Sequence, residues 1–326
     1  MLVISGLPGP AQDSHENPPA LPGLSGLLRL ADRGTEHRDW RSGLLEDLGA
    51  AGWVDAAPAV VAAAALPMTP GVGVCLAVPV HAMVGISRVH LHAAGLQLDA
   101  AQAAAFAAGF SAQFGAEPRL HEVNQGWLME ASYAAAASDE DPLHWLGKPL
   151  ERRAAQSEPE RRLRRLGAEI EMWLADLPLN TERLRRGQLP VNLLWLWGGG
   201  RVRIPAAVLR DSSLRLHAQQ GDAWLAGCAA LTGAELSPLP EGWQAIANGQ
   251  PPAQKSVIVL EVTPMTDSRQ WLSWDEQWFQ PLLRDLQARR IDALALRCGR
   301  RRLQVRRRWW SAPWRRRRPW WQEVAA

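Results

Sequence analysis

Several residue types are scarce in this chain of 326 residues, and each scarcity excludes a class of protein. The three cysteines, Cys75, Cys228 and Cys298, include no C-x-x-C pair, which argues against a disulfide framework and favours a reducing compartment. Lysine occurs twice among 36 basic residues, so arginine supplies nearly all positive charge. Hydrophobic residues make up 47% and charged residues 21% of the chain, which excludes a disordered or coiled-coil protein.

The sequence also lacks an evident export or membrane signal. Its first ten residues, MLVISGLPGP, contain no basic region and no long apolar run, so we expect no secretory signal and a cytoplasmic location. The stretch Ala56–Ser87 is uncharged and long enough to cross a bilayer, but prolines and glycines interrupt it repeatedly. We therefore predict buried helix, loop and strand structure there, and no transmembrane segment.

Helical and strand-like apolar patterns interleave along the chain. Glu158–Ala175 has helical spacing with one apolar stripe, and Asp99–Phe114 repeats this pattern with many alanines. Leu2–Ser5, Val191–Trp197 and Ser256–Thr263 are apolar runs typical of buried strands. This alternation predicts an α/β fold with a mixed sheet and helices on both faces.

One segment, Leu179–Arg203, places three glycines directly after an apolar strand. Glycines at a strand end let the backbone approach a ligand, and successive N–H groups can cradle an anion, with Arg201 adding charge. The segment matches neither the P-loop nor the dinucleotide-binding fingerprint. A tight turn between strand and loop also explains the glycines, so both interpretations stay open here.

In and next to this segment, prolines, asparagines, tryptophans and glycines recur at fixed spacing with one arginine: Pro178, Asn180, Arg183, Gly187, Pro190, Asn192, Trp195, Trp197, Gly198 and Gly200. With these residues the segment resembles the bacterial regulatory protein RpfE family, which is similar to the archaeal type of cofactor-independent phosphoglycerate mutase. The resemblance is strong over residues 166–203 and weaker elsewhere. It implies an alkaline-phosphatase-like fold, and in the enzymes two divalent metals held by aspartates and histidines beside a serine nucleophile.

The chain departs from the enzymes where these metals would be held. Their first strand ends in an Asp-Gly pair, whereas Ser5-Gly6 stands at that point here. The late strand leads to four acids but no histidine: Glu261, Asp267, Asp275 and Glu276. We therefore predict a degraded alkaline-phosphatase-like fold with no catalytic residues, no metal and no cofactor, acting as a regulatory or scaffold protein of the RpfE type.

The predicted binding site of such a protein is a small-anion pocket. Its candidate residues are Asn180, Arg183, Asn192, Trp195, Trp197, Gly198, Gly199, Gly200 and Arg201. An unidentified protein partner is the other possibility for binding. The first alternative function is a phosphoglycerate-mutase-like phosphotransferase with rearranged metal ligands, for which Glu261, Asp267, His81 and His92 are the available nominees.

A separate group of histidines needs its own interpretation. His90 and His92 alternate within a strand-like run, and His81 precedes them by nine residues. Two histidines at i, i+2 can bind zinc, but such a pair is more often a half-exposed strand face. We predict the strand face.

The C-terminal end of the chain is strongly basic. Residues Arg297–Ala326 carry a net charge of +10, so the remainder of a chain that is +3 overall carries −7. Arginine interleaved with tryptophan suits nucleic acid, an anionic membrane surface or a protein partner, unless the tryptophans pack onto the sheet. A nucleic-acid-binding module is thus the second alternative function. We predict one domain over residues 1–308 and a basic tail over 309–326, with candidate binding residues Arg306, Arg307, Arg308, Arg315, Arg316, Arg317 and Arg318.

Overall fold

The computed structural model describes residues 1–5, 19–32, 34–85, 89–92, 96, 98–124, 126–146, 148–150, 154–203, 211, 213–219, 222–249, 255–262, 266–306 and 320. The chain divides into two compact units. Unit 1 comprises Met1–Val54, Leu209–Gln219 and Gly233–Ala326, and unit 2 comprises Asp55–Val208 and Gln220–Thr232. One domain over residues 1–308 with a separate tail stays a prediction.

The strands are β1 (Leu2–Ile4), β2 (Thr35–Glu36), β3 (Gly73–Val80), β4 (Ala82–Val84), β5 (Val89–Leu91), β6 (Arg119–Val123), β7 (Gly126–Glu130), β8 (Leu193–Arg201), β9 (Leu214–Ala218), β10 (Glu235–Pro238), β11 (Lys255–Leu260), β12 (Leu294–Cys298) and β13 (Arg301–Val305). The helices are α1 (Pro22–Leu30), α2 (Trp40–Asp47), α3 (Pro58–Ala63), α4 (Ala100–Phe114), α5 (Glu158–Ala175), α6 (Pro178–Arg185), α7 (Ala223–Thr232), α8 (Trp243–Gly249), α9 (Ser268–Trp274) and α10 (Gln280–Gln287). A π-helical turn, Asp275–Phe279, joins α9 to α10.

Unit 1 is built on a mixed sheet with the strand order β10-β9-β11-β1-β12-β13-β2. The strands from β10 to β12 in this order run parallel, and β13 and β2 add antiparallel pairing at one edge. Because β1 lies between β11 and β12, the first residues of the chain pair with strands near its other end. The α/β class and the mixed sheet are confirmed.

Successive side chains of a strand point to opposite faces of this sheet, and both faces are covered. Leu2 and Ile4 face a core formed with α1, α9 and α10, which includes the buried tryptophans Trp243, Trp271, Trp274, Trp278 and Trp320. On the opposite face, the fully buried Arg297 of β12 reaches α2. There its guanidinium donates to the carbonyl of Gly43 at 2.9 Å and pairs with Asp47.

Unit 2 contains an antiparallel sheet in the order β6-β7-β3-β8 and a separate hairpin of β4 and β5. One face of the larger sheet packs against α4 and α5, where the ring of Phe106 stacks on Trp127 at 4.9 Å and meets Trp173 edge-on at 5.3 Å. The helix α3 packs against β3 and β8. No helix in the described ranges has the length and apolar character that a bilayer crossing requires.

One sequence-based expectation about these elements was wrong in detail. The apolar strand was expected to stop before the glycines, yet β8 continues through them and pairs Gly200 with Val74. Pro178 is the first residue of α6, a position at which proline is favoured. Residues 268–287 consist of α9, the π-helical turn and α10.

Candidate functional site

The carboxyl ends of the parallel strands in unit 1 form the edge at which open α/β sheets bind ligands. At this edge β1 is followed by Ser5, whose backbone N–H donates to the carbonyl of Leu260 at 3.0 Å. The Ser5 hydroxyl accepts a hydrogen bond from the N–H of Val262 at 2.9 Å. Ser5 therefore ties the end of β1 to the end of β11 through both its backbone and its side chain.

Two of the acids that follow β11 cap helices. Asp267 accepts a hydrogen bond from the N–H of Gln270 at 2.8 Å, in the first turn of α9. Asp275 is 1% exposed and accepts from the N–H groups of Gly23 at 3.1 Å and Leu24 at 2.9 Å, in the first turn of α1. Aspartate suits these positions because its oxygens satisfy free N–H groups and its charge complements the helix dipole.

The two-metal centre implied by the sequence resemblance does not fit these residues. Ser5 offers a hydroxyl instead of a carboxylate, and Asp267 and Asp275 are used as caps. In the ranges that the structure describes, no group of three or more His, Cys, Asp or Glu side chains is placed to hold a metal ion. Of the nominees for a rearranged centre, Glu261 and Asp267 belong to unit 1, and His81 and His92 belong to unit 2.

The glycine segment of β8 forms a bulge that packs against the protein itself. The N–H of Gly198 donates to the carbonyl of Ser138 at 2.6 Å, and that of Gly199 to the carbonyl of Ala137 at 3.3 Å. Gly198 has a φ of +65°, and a Cβ on Gly199 would lie 2.6 Å from the carbonyl oxygen of Ala134. Both N–H groups thus donate to carbonyls of the protein itself, and anion binding at Gly198 and Gly199 stays a prediction.

Asn180 and Arg183 brace the chain that leads into β8. The amide nitrogen of Asn180 donates to the carbonyls of Leu174 and Val191, each at 2.7 Å, and its oxygen accepts from the N–H of Val191 at 2.8 Å. The Nε of Arg183 donates to the carbonyl of Leu189 at 2.7 Å. Both side chains are buried, so they hold the loop between α6 and β8 in place.

Asn192 and Trp195 serve as links between neighbouring segments. The side-chain amide of Asn192 exchanges two hydrogen bonds with the backbone of Ala82, at 2.7 and 2.8 Å, in the manner of a strand pair. The indole N–H of Trp195 donates to the carbonyl of Glu140 at 2.8 Å, and the indole of Trp197 is 5% exposed. The structure thus places these residues in packing and bracing positions, and anion binding by them stays a prediction.

Arg201, at the end of β8, lines a cavity of unit 2. The cavity has a volume of about 640 Å³, and Arg119 lines it as well. Each guanidinium donates to a backbone carbonyl, Arg201 to Gly71 at 2.9 Å and Arg119 to Ala116 at 2.8 Å. Sequence reasoning missed Arg119, since nothing in the sequence indicates that β6 and β8 contribute to one cavity.

Glu117 and Glu130 also line this cavity, and each carboxylate has a partner of its own. Glu117 accepts from the N–H and the hydroxyl of Ser132 at 2.9 and 2.7 Å, and these hydrogen bonds lower its pKa. Glu130 pairs with His121 at 2.7 Å. The strongest contacts of the two carboxylates are thus with groups other than the two arginines.

Of the predicted tail and its candidate arginines, the structure describes Trp320 and Arg306. Arg306 is exposed directly after β13, whereas Arg307, Arg308 and Arg315–Arg318 lie outside the described residues. Trp320 is 2% exposed, and its indole N–H donates to the carbonyl of Pro19 at 2.9 Å. Its ring packs against that of Trp271 with centroids 5.3 Å apart, so Trp320 belongs to the core of unit 1.

No protein-family model and no curated protein sequence matches the chain. Among solved structures, it is similar to the cofactor-independent phosphoglycerate mutase from Thermoplasma acidophilum DSM 1728, with 15% identity, a TM-score of 0.39, and 94% of this chain and 89% of that chain covered. It is also similar to the PH0037 protein from Pyrococcus horikoshii, with 11% identity, a TM-score of 0.45, and coverage of 93% and 85% respectively. This is a distant structural similarity.

Proposed function

We propose that this protein is a non-catalytic regulatory or scaffold protein of the RpfE type, with a degraded alkaline-phosphatase-like fold. The residues matched within Pro178–Gly200 support the RpfE type. The chemistry at the carboxyl edge of the sheet in unit 1 supports the loss of the mutase reaction. A cytoplasmic location belongs to the same proposal and rests on the composition of the chain.

The observation that carries the proposal is the hydrogen bond accepted by the Ser5 hydroxyl at the end of β1. A two-metal phosphotransfer centre needs hard oxygen ligands, typically carboxylates, to hold its cations at the strand ends. Ser5 stands where the resemblance implies an aspartate, and its hydroxyl oxygen accepts a hydrogen bond from the Val262 N–H at 2.9 Å. Asp267 and Asp275 add to this argument because each caps a helix.

The binding function is assigned to the cavity beside Arg201. Arg201 and Arg119 place two guanidiniums on one cavity, and arginine recognises carboxylate and phosphate groups through paired N–H donors. Glu117 and Glu130 hydrogen-bond to Ser132 and His121 but keep their negative charge, so a bound anion competes with them for the two guanidiniums. A small anion is the ligand that this arrangement suits.

A binding and turnover experiment tests the proposal on the full-length chain. The protein is titrated with 3-phosphoglycerate in a calorimeter and then assayed for its conversion to 2-phosphoglycerate with Mn²⁺ present. We expect binding without turnover, and binding at least ~10-fold weaker in Arg201→Gln, because a bidentate charged contact is lost. The matched control is Arg186→Gln, at an exposed arginine paired with Glu182 at 2.8 Å.

Metal-dependent turnover by the wild-type chain, relative to an archaeal-type mutase assayed in parallel, would overturn the non-catalytic role. Equal binding by the wild type and Arg201→Gln would contradict anion binding in the cavity beside Arg201. It would leave the non-catalytic role unaffected. The variant Ser5→Asp is also expected to stay inactive, because Asp267 and Asp275 remain engaged in capping α9 and α1.

A further inference from the structure

The hairpin of β4 and β5 aligns three histidines on one face. In its register Ala82 pairs with Leu91 and Met83 pairs with His90. The N–H of His92 donates to the carbonyl of His81 at 2.7 Å, which extends the pairing by one position. Directly opposite residues share a face of an antiparallel pair, and so do residues two apart. His81, Met83, His90 and His92 therefore lie on the same face.

The opposite face of the hairpin fixes this orientation. Leu91 is fully buried and Ala82 partly buried in a small apolar cluster with Val80 and Leu146. Because alternate residues of a strand point to opposite sides, the histidine face is turned away from this cluster. On the histidine face Met83 is 41% exposed, and His81, His90 and His92 are each partly exposed.

The rings of His81 and His92 are already close and partly oriented. Their centroids are 6.2 Å apart with an interplanar angle of 69°. The Nδ1 atom of His81 lies 2.9 Å from the carbonyl oxygen of Pro190. A carbonyl oxygen only accepts, so Nδ1 donates its hydrogen and Nε2 keeps its lone pair in the neutral ring. Backbone carbonyls orient metal-binding histidines in this manner.

We propose that His81, His90 and His92 bind one borderline divalent transition-metal ion of the Zn²⁺ type. Three imidazoles with solvent in the fourth position form a known zinc ligand set. In the described part of the chain, no such triad is yet gathered at ligating distance, so binding requires a rotamer change. His90 supplies the third imidazole, and the thioether of Met83 lies opposite it in the register.

His90 and His92 are partly exposed at β5, as the strand-face interpretation predicted, and the proposal adds a metal-binding role to that face. The proposed site needs none of the carboxylate ligands of the mutase-type centre, although His81 and His92 were also nominees for a rearranged centre. The hairpin ion would join two short strands, whose connecting residues 86–88 lie outside the described ranges. Its expected consequence is a metal-dependent gain in the stability of the hairpin against proteolysis, besides binding itself.

Zinc titration of the full-length chain without a histidine tag tests the site. After treatment with a chelator, the protein is titrated with Zn²⁺ in a calorimeter. We expect one equivalent, with affinity reduced on the order of 100-fold in His90→Gln/His92→Gln, since two of three imidazoles are removed. His37→Gln is the matched control, because His37 lies in unit 1 beside Glu46 at 3.2 Å.

Glutamine replacements keep the hairpin polar and leave the His81–Pro190 contact in place, and circular dichroism verifies that the variants fold. A single site that His37→Gln retains and the double variant loses supports the proposal. Absence of zinc binding by the wild type would overturn it. So would a stoichiometry and an affinity that the double variant leaves unchanged.

Discussion

Gly199 shows how a single missing side chain shapes β8. A Cβ at this position would lie 2.6 Å from the carbonyl oxygen of Ala134 and 2.8 Å from the backbone nitrogen of Ala137. We expect Gly199→Ala to lower the free energy of unfolding by about 1–3 kcal/mol, because the turn that packs on the bulge must move. Urea unfolding followed by circular dichroism measures this change.

Gly167 provides the matched control in the same unit. It lies inside α5, and a Cβ there would meet nothing within 4 Å. Gly167→Ala should raise the free energy of unfolding by about 0.5–1 kcal/mol, because alanine is the better helix former. If Gly199→Ala were as stable as Gly167→Ala, the assigned packing role of Gly199 would be wrong.

His217 links the stability of unit 1 to pH. It is 6% exposed on β9, and burial lowers its pKa, although the backbone of Pro238 opposes this shift in part. The unfolded chain therefore binds a proton at this position at a higher pH than the folded chain does. The resulting contribution to stability is complete above the unfolded pKa of about 6.5 and is lost as the pH falls below it.

The variant His217→Gln should remove this part of the pH dependence. We expect the free energy of unfolding to fall less between about pH 7.5 and about pH 5.5 in the variant than in the wild type. Urea unfolding at each pH gives the comparison, and His144→Gln, at an exposed position, controls for loss of a histidine. Identical pH profiles for the wild type and His217→Gln would contradict the assignment.

The candidate site was predictable from the sequence only in part at the residue scale. The spacing of Asn180, Arg183 and Asn192 identified them as motif residues and candidate binding residues. Their bracing roles depend on backbone partners that the sequence pattern does not reveal. The absence of side chains at Gly198 and Gly199 was visible as well. Whether a ligand or another part of the chain fills the resulting space depends on tertiary packing.

Helices that begin with a capping residue and have regularly spaced apolar residues were predicted well from the sequence. Asp99 and Ser157 cap α4 and α5, each accepting a hydrogen bond from an N–H three residues on. Both helices lie within a residue of the expected bounds, because capping residues and an apolar stripe are local signals. By contrast, α7 is buried on nearly every side, so it has no apolar stripe for a pattern to find.

Asp47 of α2 pairs with two arginines of the sheet of unit 1, the buried Arg297 on β12 and Arg302 on β13. Arg297 is fully buried, its Nε donates to Asp47 at 3.1 Å, and the Asp47 side chain is 9% exposed. We expect Asp47→Ala to lower the free energy of unfolding by about 3–5 kcal/mol, because it leaves a buried charge without its carboxylate. Chemical unfolding monitored by tryptophan fluorescence measures the loss.

A double variant and a surface control sharpen this test. Asp47→Ala/Arg297→Met should recover part of the loss, since the uncompensated charge is removed with its partner. Lys255→Ala breaks an exposed pair with Asp211 at 2.9 Å and should leave the unfolding midpoint nearly unchanged. Equal effects of Asp47→Ala and Lys255→Ala would show that the buried pair does not hold α2.

At the scale of the whole molecule, the two ends of the chain meet in unit 1. β1 pairs with β11 and β12, and Trp320 donates to the carbonyl of Pro19. The sequence predicted the apolar strands but not their order, because pairing between distant segments leaves no local pattern. For the same reason Trp320 was assigned to a basic tail, although it lies in the core of unit 1.

The manganese content of the purified chain tests the central claim most directly. The protein is dialysed against Mn²⁺, then against metal-free buffer, and its manganese is counted by plasma mass spectrometry. Because Ser5, Asp267 and Asp275 make protein hydrogen bonds at the strand and helix ends, we predict close to zero manganese ions per chain. A content near two per chain, as in a two-metal phosphotransfer centre, would contradict the non-catalytic account.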